Sequence, residues 1–209
     1  VSEEQELNLG GSHNLTGLEG LLKHYVKPSM RIVEVGSWKG FSTSVILKCI
    51  AELEDTHLFC VDHWLGSKGT KQEEKVVSSG DTIYPAFLHN MFRLGYITRI
   101  TPIRLPSVQA ATLFPDEYID FLFLDADHTY NPVKKDIEAW WPKLKAGGIF
   151  CGHDMECLYK DLREDLKHPK YLEIDCVDGM HVGVIKAVSE LFPYVTLSPG
   201  NVWSVQKTG

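Results

Sequence analysis

The sequence predicts an α/β protein: a mostly parallel sheet, doubly wound with helices on both faces, and a C-terminal antiparallel hairpin. Three observations support this. Short apolar runs rich in branched and aromatic residues recur at Arg31–Val35, His57–Asp62, Ile119–Leu124 and 147–152. The segments between most of them carry apolar residues at helical spacing, so strands and helices alternate. The runs break off into glycine turns or charged residues, as buried parallel strands do when their tips face a ligand crevice.

The elements follow in order. Residues 1–13 are expected to be a flexible lead-in, and 14–209 a single domain. A helix starts near Asn14, with Leu15, Leu18, Leu21, Leu22 and Tyr25 on one face, and Pro28 halts it. The first strand, from Arg31, breaks into a turn bracketed by Gly36 and Gly40. Ser42 and Thr43 then open a helix with Val45, Ile46, Cys49 and Ile50 at apolar positions. The second strand ends in Asp62. A polar, glycine-studded insertion near 64–82 is expected to act as a lid. A helix over about 84–94 and a strand over 97–103 come next. The fourth strand delivers Asp125, Asp127 and His128 to its tip. Asn131-Pro132 reads as the cap and first-turn proline of a helix running through Ile137, Trp140 and Leu144 to Gly147. A strand from Gly147 ends in His153 and Asp154. A second insertion near 155–181, holding an amphipathic segment, precedes a helix over 182–191. The tail 194–206 reads as a hairpin turning at Pro199-Gly200-Asn201.

Composition narrows the functional class. The chain of 209 residues is 44% apolar and 23% charged, ordinary for a globular domain with an ample core. A net charge of −7 argues against general binding to nucleic acid or anionic membrane. No run approaches a membrane span, and the acidic N-terminus is unlike a signal peptide. Five cysteines is an odd count, and Cys49, Cys60 and Cys151 fall in expected core elements, which suits a reducing, cytoplasmic setting.

The turn Glu34-Val-Gly36-Ser37-Trp38-Lys-Gly40 fails the dinucleotide fingerprint, which needs a G-x-G start and a third glycine. That disfavours a nicotinamide-dependent oxidoreductase. No phosphate-gripping Gly-Lys-Ser/Thr sequence occurs either, so the loop suits a nucleoside without phosphates.

With Asp62, Ser107 and Asp125 after the next three strands, the pattern resembles class I S-adenosylmethionine-dependent methyltransferases over residues 15–192. Asp125-Ala-Asp-His128 and Gly152-His-Asp154 look most like the metal-assisted small-molecule O-methyltransferases, the branch of the catechol and caffeoyl-CoA enzymes. The resemblance implies a Rossmann-like, mostly parallel seven-stranded sheet and S-adenosyl-L-methionine as methyl donor. It implies that Gly36, Ser37 and Trp38 line the methionine moiety, with Gly40 closing the turn. Ser42, at a helix N-terminus that favours an anion, would bind the carboxylate. Asp62 would hold the ribose hydroxyls, His63 or Trp64 would pack near the adenine, and Ser107 would meet its polar edge. Glu34 is either a contact or a loop anchor. Asp125 would face the methionine amino group and also a metal.

Two carboxylates at neighbouring strand tips repel unless a cation or proton lies between them, which is the physical case for a metal. Two ligand sets stay open: Asp125, His153 and Asp154, or a set lacking one ligand. The imidazole of the first would favour manganese or another transition metal over magnesium. His128 occupies the place of the catechol-type lysine base, and its ordinary pKa suits proton abstraction at neutral pH. Asp127 would orient His128 or merely shape the turn, Tyr130 reads as packing, and His181 as an ordinary loop residue. The expected activity is methyl transfer to a hydroxyl of a small molecule. The alternatives are metal-independent N- or C-methylation with His128 as base, and a non-catalytic binding protein. Nothing identifies the acceptor. Apolar residues of the first helix or the closing hairpin would suit a homodimer.

Overall fold

The structure is a computed structural model describing residues 7–10, 14–66 and 82–209. Five parallel strands form the centre: β1 (Arg31–Val35), β2 (His57–Asp62), β3 (Ile100–Arg104), β4 (Ile119–Leu124) and β5 (Leu144–Gly152). The closing hairpin adds β6 (Thr196–Ser198) and β7 (Val202–Gln206), and β7 runs antiparallel to both its neighbours. The order is β3-β2-β1-β4-β5-β7-β6, the doubly wound seven-stranded sheet the resemblance implies. Because β1 lies between β2 and β4, successive connections leave its tip in opposite directions and open a crevice there.

Side-chain alternation sorts β4 between two cores. Phe121 and Phe123 face a cluster with Leu18 of α1 (Thr16–Tyr25), Ile46 of α2 (Phe41–Cys49) and Phe87 of α3 (Ile83–Arg93). Leu122 and Leu124 face the other cluster, with Ala110 of α4 (Ser107–Ala111), Trp140 of α5 (Tyr130–Trp140) and Ile185 of α6 (Val182–Leu191). Burial on both faces is why this strand reads as an unbroken apolar run.

Several boundaries differ from expectation. The third strand starts only at Ile100, after a 3-10 turn over Ile97–Arg99. Thr129, not Asn131, caps α5, and Asn131 points instead to Glu173. That helix stops at Trp140, because Trp141–Lys143 tightens into a 3-10 turn around Pro142. Leu144 already belongs to β5. Gly147 lies within β5 at φ +80°, in a bulge where five residues of β5 span two of β4. The insertion near 155–181 contains three short 3-10 turns and no α-helix. Within the lead-in, Asn90 Nδ2 donates to Asn8 O at 2.9 Å, tying that part to the domain. From residue 67 to 81 the expected lid lies outside the described residues. All five cysteines are free. Among the described residues no helix is long and apolar enough to cross a membrane.

Candidate active site

The turn after β1 is built on glycine and one buried acid. At Gly36 φ is +95°, and a Cβ there would lie 1.8 Å from the carbonyl oxygen of Asp125. Only glycine lets β1 turn this close to the tip of β4. Glu34 is fully buried beneath the turn and accepts hydrogen bonds from Ser37 Oγ (2.7 Å), Ser42 Oγ (2.6 Å) and Thr43 Oγ1 (2.5 Å). Burial pushes its carboxyl up to about 7 against the pull of these hydroxyls. Glu34 therefore acts as an anchor and does not line the cleft. Since the Ser42 hydroxyl is committed to Glu34, what the start of α2 offers an anion is backbone N–H groups.

Asp62 is held from two sides. The Trp38 N–H donates to Oδ2 at 2.8 Å and the Trp64 N–H to Oδ1 at 2.6 Å. Each oxygen keeps a further lone pair for a ligand hydroxyl. Burial moves this carboxyl upward, opposed by the two N–H groups. His63 stands at the cleft, its Nδ1 accepting from Leu65 N–H at 2.9 Å. Trp64 does not reach the cleft. It is 0% exposed, packs against Tyr84 and Phe87, and donates from Nε1 to Trp38 O at 2.7 Å. Of the two residues expected beside the adenine, His63 lines the cleft and Trp64 is a pillar under the loop.

Ser107 opens α4, and its Oγ accepts from Trp140 Nε1 at 2.9 Å. Beside it Asp136, unnoticed in the sequence, lines the cleft with its carboxyl raised by burial to about 7. The signal was present, because an aspartate shares a helix face with Val133, Ile137 and Trp140. Gly36, Ser37, Trp38, Asp62, Ser107 and Asp125 all border this cleft of about 630 Å³ at the tips of β1 and β4. A larger groove of about 1040 Å³, beside β6 and the end of α6, holds none of the strand-tip carboxylates.

The tips of β4 and β5 carry a second constellation. Asp125 N–H donates to Val35 O, and His153 N–H to Leu124 O, so backbone bonds fix both tips. Asp154 adopts φ +62°, a left-handed conformation uncommon outside glycine, and is buried. Donor atoms of Asp125, His153 and Asp154 lie within 4.8 Å of one another. Those of His128, Asp154 and His181 do the same, so His181 belongs to the cluster and is not an ordinary loop histidine.

His128 is held by its surroundings. Its Nδ1–H donates to Asp175 Oδ1 at 2.5 Å, an orienting role that Asp127 does not take. Asp127 instead accepts from the N–H and hydroxyl of Thr129, which makes it the turn residue. His128 Nε2 lies 3.0 Å from Asp154 Oδ2 and 3.6 Å from Asp125 Oδ1, yet it is buried and makes no aligned hydrogen bond among the described residues. Burial disfavours charge on this ring, but three carboxylates outweigh it and push its pKa up to about 12. The same carboxylates therefore set how readily this ring gives up or takes a proton. Asp154, although buried, is held well below the usual carboxylate range by His128 and His153. His153, also buried, is raised by Asp154 and Asp125. An orphaned, buried imidazole nitrogen beside clustered carboxylates fits a divalent cation.

Comparison with known proteins bears on the family and the fold. The chain matches the methyltransferase-domain family over residues 33–155, more than half its length. An uncharacterized protein of Acanthamoeba polyphaga mimivirus is 27% identical over 150 residues, 70% of this chain but only 59% of that protein. A Clostridium thermocellum structure assigned as an rRNA methylase superposes at TM-score 0.63 with 12% identity, covering 96% of this chain and 99% of that one. A Staphylococcus aureus structure assigned as a caffeoyl-CoA O-methyltransferase superposes at TM-score 0.61 with 17% identity, covering 97% and 87%. At such identities the likeness speaks for the fold alone, and one fold carries two such different assignments. The match through β1, β4 and β5 and the doubly wound sheet with its strand-tip cleft lead to one conclusion: this chain belongs to the methyltransferase-domain family and shares the fold of the methyltransferases it superposes on.

Proposed function

We propose that this chain transfers the methyl group of S-adenosylmethionine to a hydroxyl of a small molecule, with a divalent cation held by Asp125, His153 and Asp154. One observation carries the reading: Asp125 borders the donor cleft and is also a member of that triad. Donor and acceptor sites therefore meet at one carboxylate, as an in-line displacement from sulfonium to oxygen requires.

Each residue has a task set by its surroundings. Asp62, fixed by two backbone N–H groups, presents lone pairs to the ribose hydroxyls. Gly36, Ser37 and Trp38 border the methionine moiety, and the first N–H groups of α2 face its carboxylate. Ser107 and His63 flank the adenine end. A cation at the triad would supply Lewis acidity, lowering the pKa of the acceptor hydroxyl and orienting it. His153 makes the donor set part nitrogen, which favours manganese or another transition metal over magnesium. The alternative, metal-independent N- or C-methylation with His128 as base, predicts transfer that survives chelation.

Net charge of −7 supports a small acceptor over a polyanionic one. The decisive experiment is calorimetric titration of S-adenosylhomocysteine with and without Mn²⁺, followed by transfer assays on a panel of catechols and other hydroxylated compounds with and without chelator. Micromolar binding with chelator-sensitive transfer is expected. Absent binding in folded protein would refute the donor, and chelator-resistant transfer would refute the cation.

A further inference from the structure

The cluster at the tips of β4 and β5 contains more ligand-bearing side chains than one three-ligand site uses. Asp154 is common to two triads, one with Asp125 and His153 and one with His128 and His181. We propose that His128, Asp154 and His181 form a second divalent-cation position, joined through the Asp154 carboxylate to the Asp125–His153–Asp154 position. The proposal rests on the metal-assisted reading above and adds a site to it.

Three observations support the second position. The first is spacing. Donors about 2.1 Å from a shared ion, at octahedral or tetrahedral angles, stand roughly 3.0–3.4 Å apart. His128 Nε2 is 3.0 Å from Asp154 Oδ2, and the His181 ring, held at Nδ1 by Glu156, lies 5.0 Å from the His128 ring between centroids, with one donor atom of each of the three residues within 4.8 Å of the others.

The second is orientation, and it separates a ligand from an ion pair. With Nδ1–H donated to Asp175, the available nitrogen of His128 is Nε2, and that buried atom makes no hydrogen bond among the described residues. A carboxylate on one ring nitrogen, with the other nitrogen buried and committed to no hydrogen bond, is the usual disposition of a metal-binding histidine. An ion pair alone would be expected to align Nε2–H with Asp154.

The third is charge. Asp125, Asp154, Glu156 and Asp175 crowd around the three histidines, with Glu156 Oε1 at 2.8 Å from His181 Nδ1. Four carboxylates and three neutral imidazoles carry four negative charges, which two divalent cations balance. A carboxylate bridging two cations is an established arrangement in hydrolytic and transfer enzymes.

The test is cation stoichiometry on the full chain. Chelator-stripped protein, with S-adenosylhomocysteine bound, is dialysed against Mn²⁺ and separately against Co²⁺, and bound metal is counted by elemental analysis. Two ions per chain are expected, falling to one in His181→Ala and to one in Asp125→Asn. Asp175→Asn, which frees the His128 ring to turn, should weaken one of the two ions about 10- to 100-fold and leave the other in place. Absorption of bound Co²⁺ in the visible range should lose one component in His181→Ala. A single ion in the wild type, or a count unchanged by His181→Ala, would overturn the proposal. Unchanged circular dichroism and cooperative melting certify that each variant folds, and S-adenosylhomocysteine binding is measured beside them. Loss of that binding in the wild type would refute the donor assignment and leave the ion count standing on its own.

Discussion

The two halves of the strand-tip crevice treat polar groups in opposite ways. On the β1–β2 side the acids are met from within: Glu34 by three hydroxyls, Asp62 by two backbone N–H groups. On the β4–β5 side four carboxylates crowd three imidazoles, and His128 Nε2 is left without a hydrogen bond among the described residues. The first half is a scaffold whose polar groups are largely satisfied before a ligand arrives. The second is a charged site whose carboxylates and imidazoles converge within a few ångströms of one another. Buried polar groups are ordinarily paired, so incompleteness is the better sign of chemistry.

Substitutions should separate the halves by what they damage. The largest effect belongs to Asp125→Asn. Among the described residues its carboxylate faces His128 at 3.6 Å and anchors no strand or loop, so thermal stability should hold while methyl transfer falls by at least ~1000-fold, the scale of several kcal/mol of lost cation stabilisation. Rate assays beside thermal melts would check this, and an equal loss of stability would blur the contrast.

Glu34 should behave in the opposite way. Glu34→Ala orphans three hydroxyls and should lower stability by about 3 kcal/mol in urea titrations at pH 6. Its ionisation also predicts a sign. The carboxyl takes up a proton at about 7 in the folded protein against 4.5 ordinarily, so the folded state binds that proton more tightly. Its contribution is complete below pH 4.5 and is lost as pH rises to about 7, a change on the order of 3 kcal/mol. Glu34→Gln should remove its share of the slope in urea titrations across pH 4.5–8 and leave the share of Asp136, whose carboxyl is also raised to about 7. A slope undiminished by the substitution would locate the titration elsewhere.

Asp62→Asn should act between the extremes, weakening S-adenosylhomocysteine binding about 10- to 100-fold by calorimetry through lost charge-assisted hydrogen bonds. An unchanged affinity would remove Asp62 from the ribose contact. The smallest effect is expected for Trp64→Phe. It removes the Nε1–H bond to Trp38 O and should cost about 1 kcal/mol of stability, with donor affinity altered less than at Asp62. A larger change in affinity than in stability would return Trp64 to the cleft wall.

Much of this molecule was legible in its residues because local physics determined it. Burial on both faces makes β4 an unbroken apolar run, and hydrophobic periodicity places α6 at 182–191. The strand-tip positions Gly36, Asp62, Ser107 and Asp125 follow from the same pattern, since a parallel strand must end where its chain turns.

Other features had no local signal. The end of α5 and the bulge at Gly147 reflect how β5 meets β4 and the turn around Pro142, not the spacing of apolar residues. Whether Glu34 meets a ligand or holds a loop depends on what lies above it, and hydroxyls three, eight and nine residues onward cover it. The partners of His128 were the least readable. Asp175 lies 47 residues away and is brought in by a segment of 3-10 turns without periodicity. The sequence by itself determined the sheet, the cleft and the kinds of residue at its rim. Only the tertiary structure decided which imidazole faces which carboxylate, because that pairing depends on the path of an aperiodic insertion and on side-chain directions that no spacing encodes.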